Sequence, residues 1–134
     1  MSNQVAELYD DTFESTLAEN ELVFVDFYAD WCGPCKAVAP VVERLAREYS
    51  GRRVTFGKLN TDGNPATARR MHISSIPALM LFRDAKLVTL TGGYQSEAQL
   101  RVHLDRYAPP SSAVVENEAA DRQPGLLSRI FGRS

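Results

Sequence analysis

Cysteine is scarce in this chain, with two among 134 residues, standing three apart. A secreted scaffold of this length usually spreads several along its sequence, so a disulfide framework is excluded. The two histidines do not help to build a metal centre. A closed zinc site takes four Cys or His ligands, and His72 and His103 are distant from each other and from Cys32 and Cys35, so no metal or other cofactor is expected. Excess positive charge is missing too. Fifteen Lys and Arg against seventeen Asp and Glu leave a net charge of −2, which removes the electrostatic footprint of a nucleic-acid binder. Apolar runs stop far short of the ~18 residues of a membrane helix. The opening MSNQVAELYDD lacks the charged-then-apolar order of a signal peptide. A cytoplasmic protein without a transmembrane segment is therefore expected. The first thirty residues contain no Lys or Arg and eight acids, a pattern that reads most simply as a solvated face.

What is present fits one ordinary domain. Hydrophobic residues make up 44% and charged residues 24%, and a domain of this size buries roughly two-thirds of its unfolded surface. Asp11 followed by Glu14 is spaced like a capping box and predicts a first short helix, with Phe13 and Leu17 on its inner face. Leu22 to Ala29 is an almost unbroken apolar run of strand length, as in a central strand covered on both sides. Trp31-Cys32-Gly33-Pro34-Cys35 then opens a long helical pattern, with Cys35, Val38, Val42, Leu45 and Tyr49 on one face and a kink expected at Pro40. Arg52 to Asn60 predicts a second strand, with Val54, Phe56 and Lys58 sharing a face. Asn64-Pro65 predicts an N-cap and first residue of a helix to Met71. Ala78 to Phe82 and Leu87 to Leu90 predict a hairpin ended by Gly92-Gly93. Ser96 with Gln99 predicts the cap of a last helix whose buried stripe is Leu100, Leu104 and Tyr107. The order is α, then β-α-β-α, then a hairpin and α, a mixed α/β domain over residues 1–107. Composition changes at Ala108. Residues 108–134 read as a flexible linker followed by a short amphipathic segment, with Leu126, Leu127, Ile130 and Phe131 on one face, which suits partner docking by residues 125–133.

The chemistry lies in the cysteine pair. A thiolate, not a thiol, attacks a disulfide, and Cys32 stands where a strand ends and a helix begins, so that free N–H groups and the helix dipole favour its negative charge. Cys35, one turn later, is within reach of a mixed disulfide on Cys32. This assigns Cys32 as nucleophile and Cys35 as resolving thiol, with Pro34 stiffening the turn. The plain alternative is half of a metal site or two incidental core thiols. Asp26 is the second unusual residue. It interrupts a strand that otherwise reads as buried, where desolvation raises a carboxyl pKa toward neutrality, and Lys58 is placed to supply a partial counter-charge. The alternative for Asp26 is a strand-end acid that meets solvent.

With these residues in view, the sequence resembles thioredoxin. Val25-Asp26-Phe27-Tyr28-Ala29-Asp30-Trp31-Cys32-Gly33-Pro34-Cys35-Lys36 is similar to the family's active-site block, Ile76-Pro77 to its cis-proline loop, Lys58-Leu59-Asn60 to its third-strand signature, and Gly93 to a glycine beside its substrate groove. The resemblance runs from about Leu8 to Tyr107. It implies a thioredoxin fold, a central mixed sheet flanked by helices, with the C-terminal tail outside it. It implies a protein-disulfide reductase acting on disulfide-containing client proteins and recharged by a flavin-dependent thioredoxin reductase. It further implies that Asp26 assists deprotonation of Cys35 through water. Trp31, Ile76, Pro77 and Gly93, with Gly33 and Pro34 between the cysteines, would form the groove that holds a substrate. Four departures stand out: Tyr28 where Trp is frequent, Ala78 where Thr is usual, Gly92 for an apolar residue, and a hairpin turn Arg83-Asp84-Ala85-Lys86 without glycine, which asks Asp84 or Ala85 for a strained conformation. Two other functions remain open from sequence: an isomerase or oxidant on the same fold, and a binding module that docks clients through its groove or tail.

Overall fold

The computed structural model describes residues 4–108. The sequence-based reading of residues 109–134, including the amphipathic segment 125–133, lies outside them. Nine elements follow in order: β1 (Val5–Leu8), α1 (Phe13–Glu19), β2 (Leu22–Tyr28), α2 (Gly33–Glu48), β3 (Val54–Asn60), α3 (Pro65–Arg70), β4 (Ala78–Arg83), β5 (Lys86–Gly92) and α4 (Glu97–Tyr107). The five strands form one sheet in the order β1-β3-β2-β4-β5. β1, β3 and β2 run parallel, β4 runs antiparallel to β2, and β5 antiparallel to β4. Two compact units divide the chain, Met1–His103 and Leu104–Ser134. In the second, the described residues are Leu104–Ala108, where Ala108 N–H donates to Leu104 O at 2.7 Å.

β2 is the spine of the first unit. Six of its seven residues are buried, as its unbroken apolar run requires of a strand covered on both faces. Val23, Val25 and Phe27 join a cluster with Phe13, Leu17, Leu59, Met80 and Phe82. Alternation then sends Leu22, Phe24, Asp26 and Tyr28 to the opposite face. On that face Phe24 packs on Phe56 with ring centroids 5.3 Å apart. The inner face of α2 supplies Val38, Val42 and Leu45, all buried. The helix runs through Pro40 from Gly33 to Glu48.

The first element differs from expectation. The chain opens with a strand, β1, which pairs with β3 with Val5 opposite Phe56 and Leu8 opposite Leu59. Four mixed residues, Val-Ala-Glu-Leu, carry no local strand signal, and it is pairing that makes them a strand. Gly57 permits it: a Cβ there would sit 2.8 Å from Leu8 Cδ1. The capping box at Asp11 does not form. α1 starts after Thr12, whose Oγ1 accepts from Tyr9 N–H at 3.0 Å, while Glu14 is drawn across to Arg70 at 2.5 Å. Asn64 precedes Pro65 at the start of α3 without capping it. Its Oδ1 accepts from Asp10 N–H at 2.9 Å. Asp10 in turn caps the helix, accepting from Thr67 N–H at 2.8 Å and Ala66 N–H at 3.4 Å.

At the last helix, Ser96 N–H donates to Gln99 Oε1 at 2.8 Å and Gln99 N–H to Ser96 Oγ at 3.2 Å, the reciprocal cap read from the sequence. Asp84 and Ala85 both take positive φ, 51° and 67°, as a two-residue type I′ hairpin demands. Among the described residues no helix is long and apolar enough to cross a membrane.

Candidate active site

The site lies beyond the carboxyl ends of the parallel strands, where β2 hands over to α2. Cys32 is the N-cap of α2, in extended conformation, and is joined to Cys35 by a disulfide with Cα atoms 5.2 Å apart. The Cys35 backbone N–H donates to Cys32 Sγ at 3.1 Å. A sulfur at this position therefore faces one of the unpaired N–H groups of a helix start, and the dipole of a sixteen-residue helix favours negative charge on it. Pro34 sits within the first turn, where it removes no hydrogen bond. Exposure does not separate the two cysteines, which are 4% and 3% accessible. Their surroundings do: Cys32 Sγ lies 3.7 Å from Ile76 O, whereas Cys35 lines a cavity of about 160 Å³ together with Asp26, Tyr28, Ala29, Asp30, Lys36, Ala39 and Lys58.

Asp26 is 3% exposed, and its Oδ1 has no hydrogen-bond partner among the described residues. Burial pushes its carboxyl up to about 7, with Lys58 pulling it down and Glu7 adding a smaller push upward. Lys58 is its register partner on β3. The cavity thus brings a carboxyl poised near neutrality, an ammonium and the second cysteine together, and is large enough for water to link them.

Of the residues assigned to a groove, Trp31, Gly33 and Pro34 adjoin the other cysteine along the chain, Ile76 touches it, and Pro77 and Gly93 belong to the loop and strand end beyond Ile76. Trp31 is 70% exposed and is fixed by its Nε1–H, which donates to Asp62 Oδ2 at 2.8 Å. Ile76 packs against the cluster of Ala29, Cys32 and Cys35. The Ile76-Pro77 peptide is cis. Gly93, at φ 75°, donates its N–H to Pro77 O at 2.8 Å, so the end of β5 is tied to the proline loop. Gly33 and Pro34 are exposed beside them. Sequence reasoning missed Asp62, Glu7 and the hydroxyl of Tyr28, which donates to Glu7 Oε2 at 2.9 Å. The only local signal was Tyr28 in place of Trp.

A thioredoxin family model matches residues 4–106. The chain is 42% identical over 108 residues to a thioredoxin of Buchnera aphidicola, a match covering 80% of this chain and 98% of that protein. It is 48% identical over 88 residues to a thioredoxin of Thiocapsa roseopersicina, covering 65% and 96%, and 43% identical over 106 residues to one of Acidithiobacillus ferridurans, covering 78% and 97%.

Proposed function

This chain belongs to the thioredoxin family, and from that premise we propose how its protein-disulfide reductase chemistry is divided among its residues. The Cys32 thiolate attacks one sulfur of a client disulfide, breaks the client S–S bond and forms a mixed disulfide, and the first client thiolate leaves and takes a proton. Cys35 then gives its proton through the cavity to the Asp26 carboxylate and attacks Cys32 Sγ. The second client thiolate leaves, two electrons have passed to the client, and the Cys32–Cys35 disulfide remains. A thioredoxin reductase, flavin-dependent in this reading, returns two electrons.

The observation that carries this division is the 3.1 Å approach of Cys35 N–H to Cys32 Sγ, set against the cavity that Cys35 shares with Asp26. One sulfur is supported as an anion by backbone N–H, and the other has a base within reach. Lys58 supplies the counter-charge that lets Asp26 ionise near neutral pH. Trp31, Gly33, Pro34, Ile76, Pro77 and Gly93 form the surface on which the client segment lies. Residues 1–107 are the reductase domain, and 108–134 an appended segment. Cytoplasmic placement suits a chain whose only cysteines are a reactive pair.

The test is capture. Cys35→Ser is expected to accumulate mixed disulfides with insulin chains on a non-reducing gel, and Cys32→Ser to accumulate none, with both losing turnover. Capture by Cys32→Ser and not by Cys35→Ser would reverse the roles.

A further inference from the structure

The row of charge that holds Asp26 and Lys58 continues past the cavity to a residue that the exchange steps do not use, Glu7. Glu7 on β1 is the register partner of Lys58 on β3, and Lys58 is the register partner of Asp26 on β2. The row therefore places one ammonium between two carboxylates on three adjacent strands. Lys58 Nζ stands 3.9 Å from Glu7 Oε1 and 5.7 Å from the centre of the Tyr28 ring. Tyr28 is two residues past Asp26 on β2 and so faces the same way. Its Oη–H donates to Glu7 Oε2 at 2.9 Å. Glu7 thus has one oxygen toward Lys58 and the other held by a phenol.

We propose that Glu7 is a positioning residue for disulfide exchange: anchored by the Tyr28 hydroxyl, it draws the Lys58 ammonium toward the β1 edge and so sets the pH at which Asp26 accepts the Cys35 proton. This rests on the reading of Asp26 as the base. Opposite charge nearby favours the carboxylate form of Asp26 and like charge disfavours it. Glu7 acts both ways at once, adding its own negative field and holding back the cation that would offset it. The directions agree, since Lys58 lowers the Asp26 carboxyl pKa and Glu7 raises it. The remaining charged lining is Asp30 and Lys36, of opposite sign, with Cys35 from α2, while β4 offers apolar Leu79 opposite Asp26. Burial, then the bond to Glu7, raises the Tyr28 hydroxyl pKa, so the phenol remains a donor wherever Asp26 titrates.

The experiment is the pH profile of single-turnover insulin reduction by the full reduced chain, from about pH 5 to about pH 9. Asp26→Asn identifies the inflection that belongs to Asp26 by abolishing it. Glu7→Gln, which keeps an acceptor for Tyr28 but removes the charge, is expected to move that inflection down by about half a unit, a gain of about threefold in rate on its acid side. Glu7→Asp should restore most of the shift. Tyr28→Phe should move it the same way, and the double variant Glu7→Gln with Tyr28→Phe no further than Glu7→Gln alone, because the two act through one contact. An inflection unmoved in Glu7→Gln while Asp26→Asn abolishes it overturns the role of Glu7 and leaves Asp26 as the base. A profile in which Asp26→Asn removes no inflection, leaving only those the parent shows, overturns both.

Discussion

Asp10 accepts hydrogen bonds from the backbone N–H groups of Ala66 and Thr67 at the start of α3, whereas Asp26 Oδ1 is buried in the centre of β2 with no hydrogen-bond partner among the described residues. The same side chain is pushed in opposite directions. Hydrogen bonding from Thr67, ahead of every other influence, holds the Asp10 carboxyl below the ordinary range, while desolvation lifts that of Asp26 to about 7. Both have a cation in range, Arg70 for Asp10 and Lys58 for Asp26, so a nearby positive charge does not decide the outcome. Burial on one side and donors within hydrogen-bond reach on the other do. One aspartate secures a helix end, and the other holds its proton up to about 7.

The contrast can be broken by stability measured against pH. Asp26 keeps its proton in the folded chain up to about 7, while the unfolded chain releases it near ~3.9. Between those values the folded state binds more protons, so stability falls as pH rises, by at most ~1.4 kcal/mol per pH unit, and levels off above 7. Asp26→Asn is expected to remove this slope and to melt several degrees higher than the parent at pH 8, because a buried charge that Lys58 offsets only in part gives way to a neutral group of similar shape. Equal melting of parent and variant at pH 8 would mean that the Asp26 charge is well solvated. Asp10 has the opposite sign. Its stabilising effect is present above the ordinary carboxylate value and is lost as pH falls through its lowered one. Asp10→Ala should therefore melt below the parent at pH 7, with the gap closing in strong acid, and a gap independent of pH would make the cap a matter of packing. The smallest effect, Ala85→Gly, sharpens both. Relief of a left-handed alanine in the hairpin should add about 1 kcal/mol, equally at every pH in thermal melts, as a backbone effect must.

Legibility from sequence followed the range of the interaction. The Ser96–Gln99 cap, the burial of β2 and the two positive-φ residues of the hairpin are decided within a few residues, and local pattern was enough to find them. The cysteine pair was legible because strand, turn and helix start are contiguous. Lys58 beside Asp26 needed only that two central strands align. β1 was not legible, since Val5 to Leu8 become a strand through residues about fifty positions away. Adjacency in the sequence points to Asn64 as the cap of α3, while the working carboxylate comes from Asp10, 57 residues before Thr67. Glu7 was one more acid in a solvated-looking stretch until the sheet set it opposite Lys58.

The bare α-carbon of Gly57 has a reach beyond packing. It is the gap that lets Leu8 lie against β3, and Leu8 and Glu7 are neighbours on one short edge strand. A single added methyl at residue 57 would meet the end of the Leu8 side chain, so that either this side chain or the edge strand that also carries Glu7 must give way. The seat of the short edge strand is in this sense shaped by the one residue of β3 that has no side chain to offer.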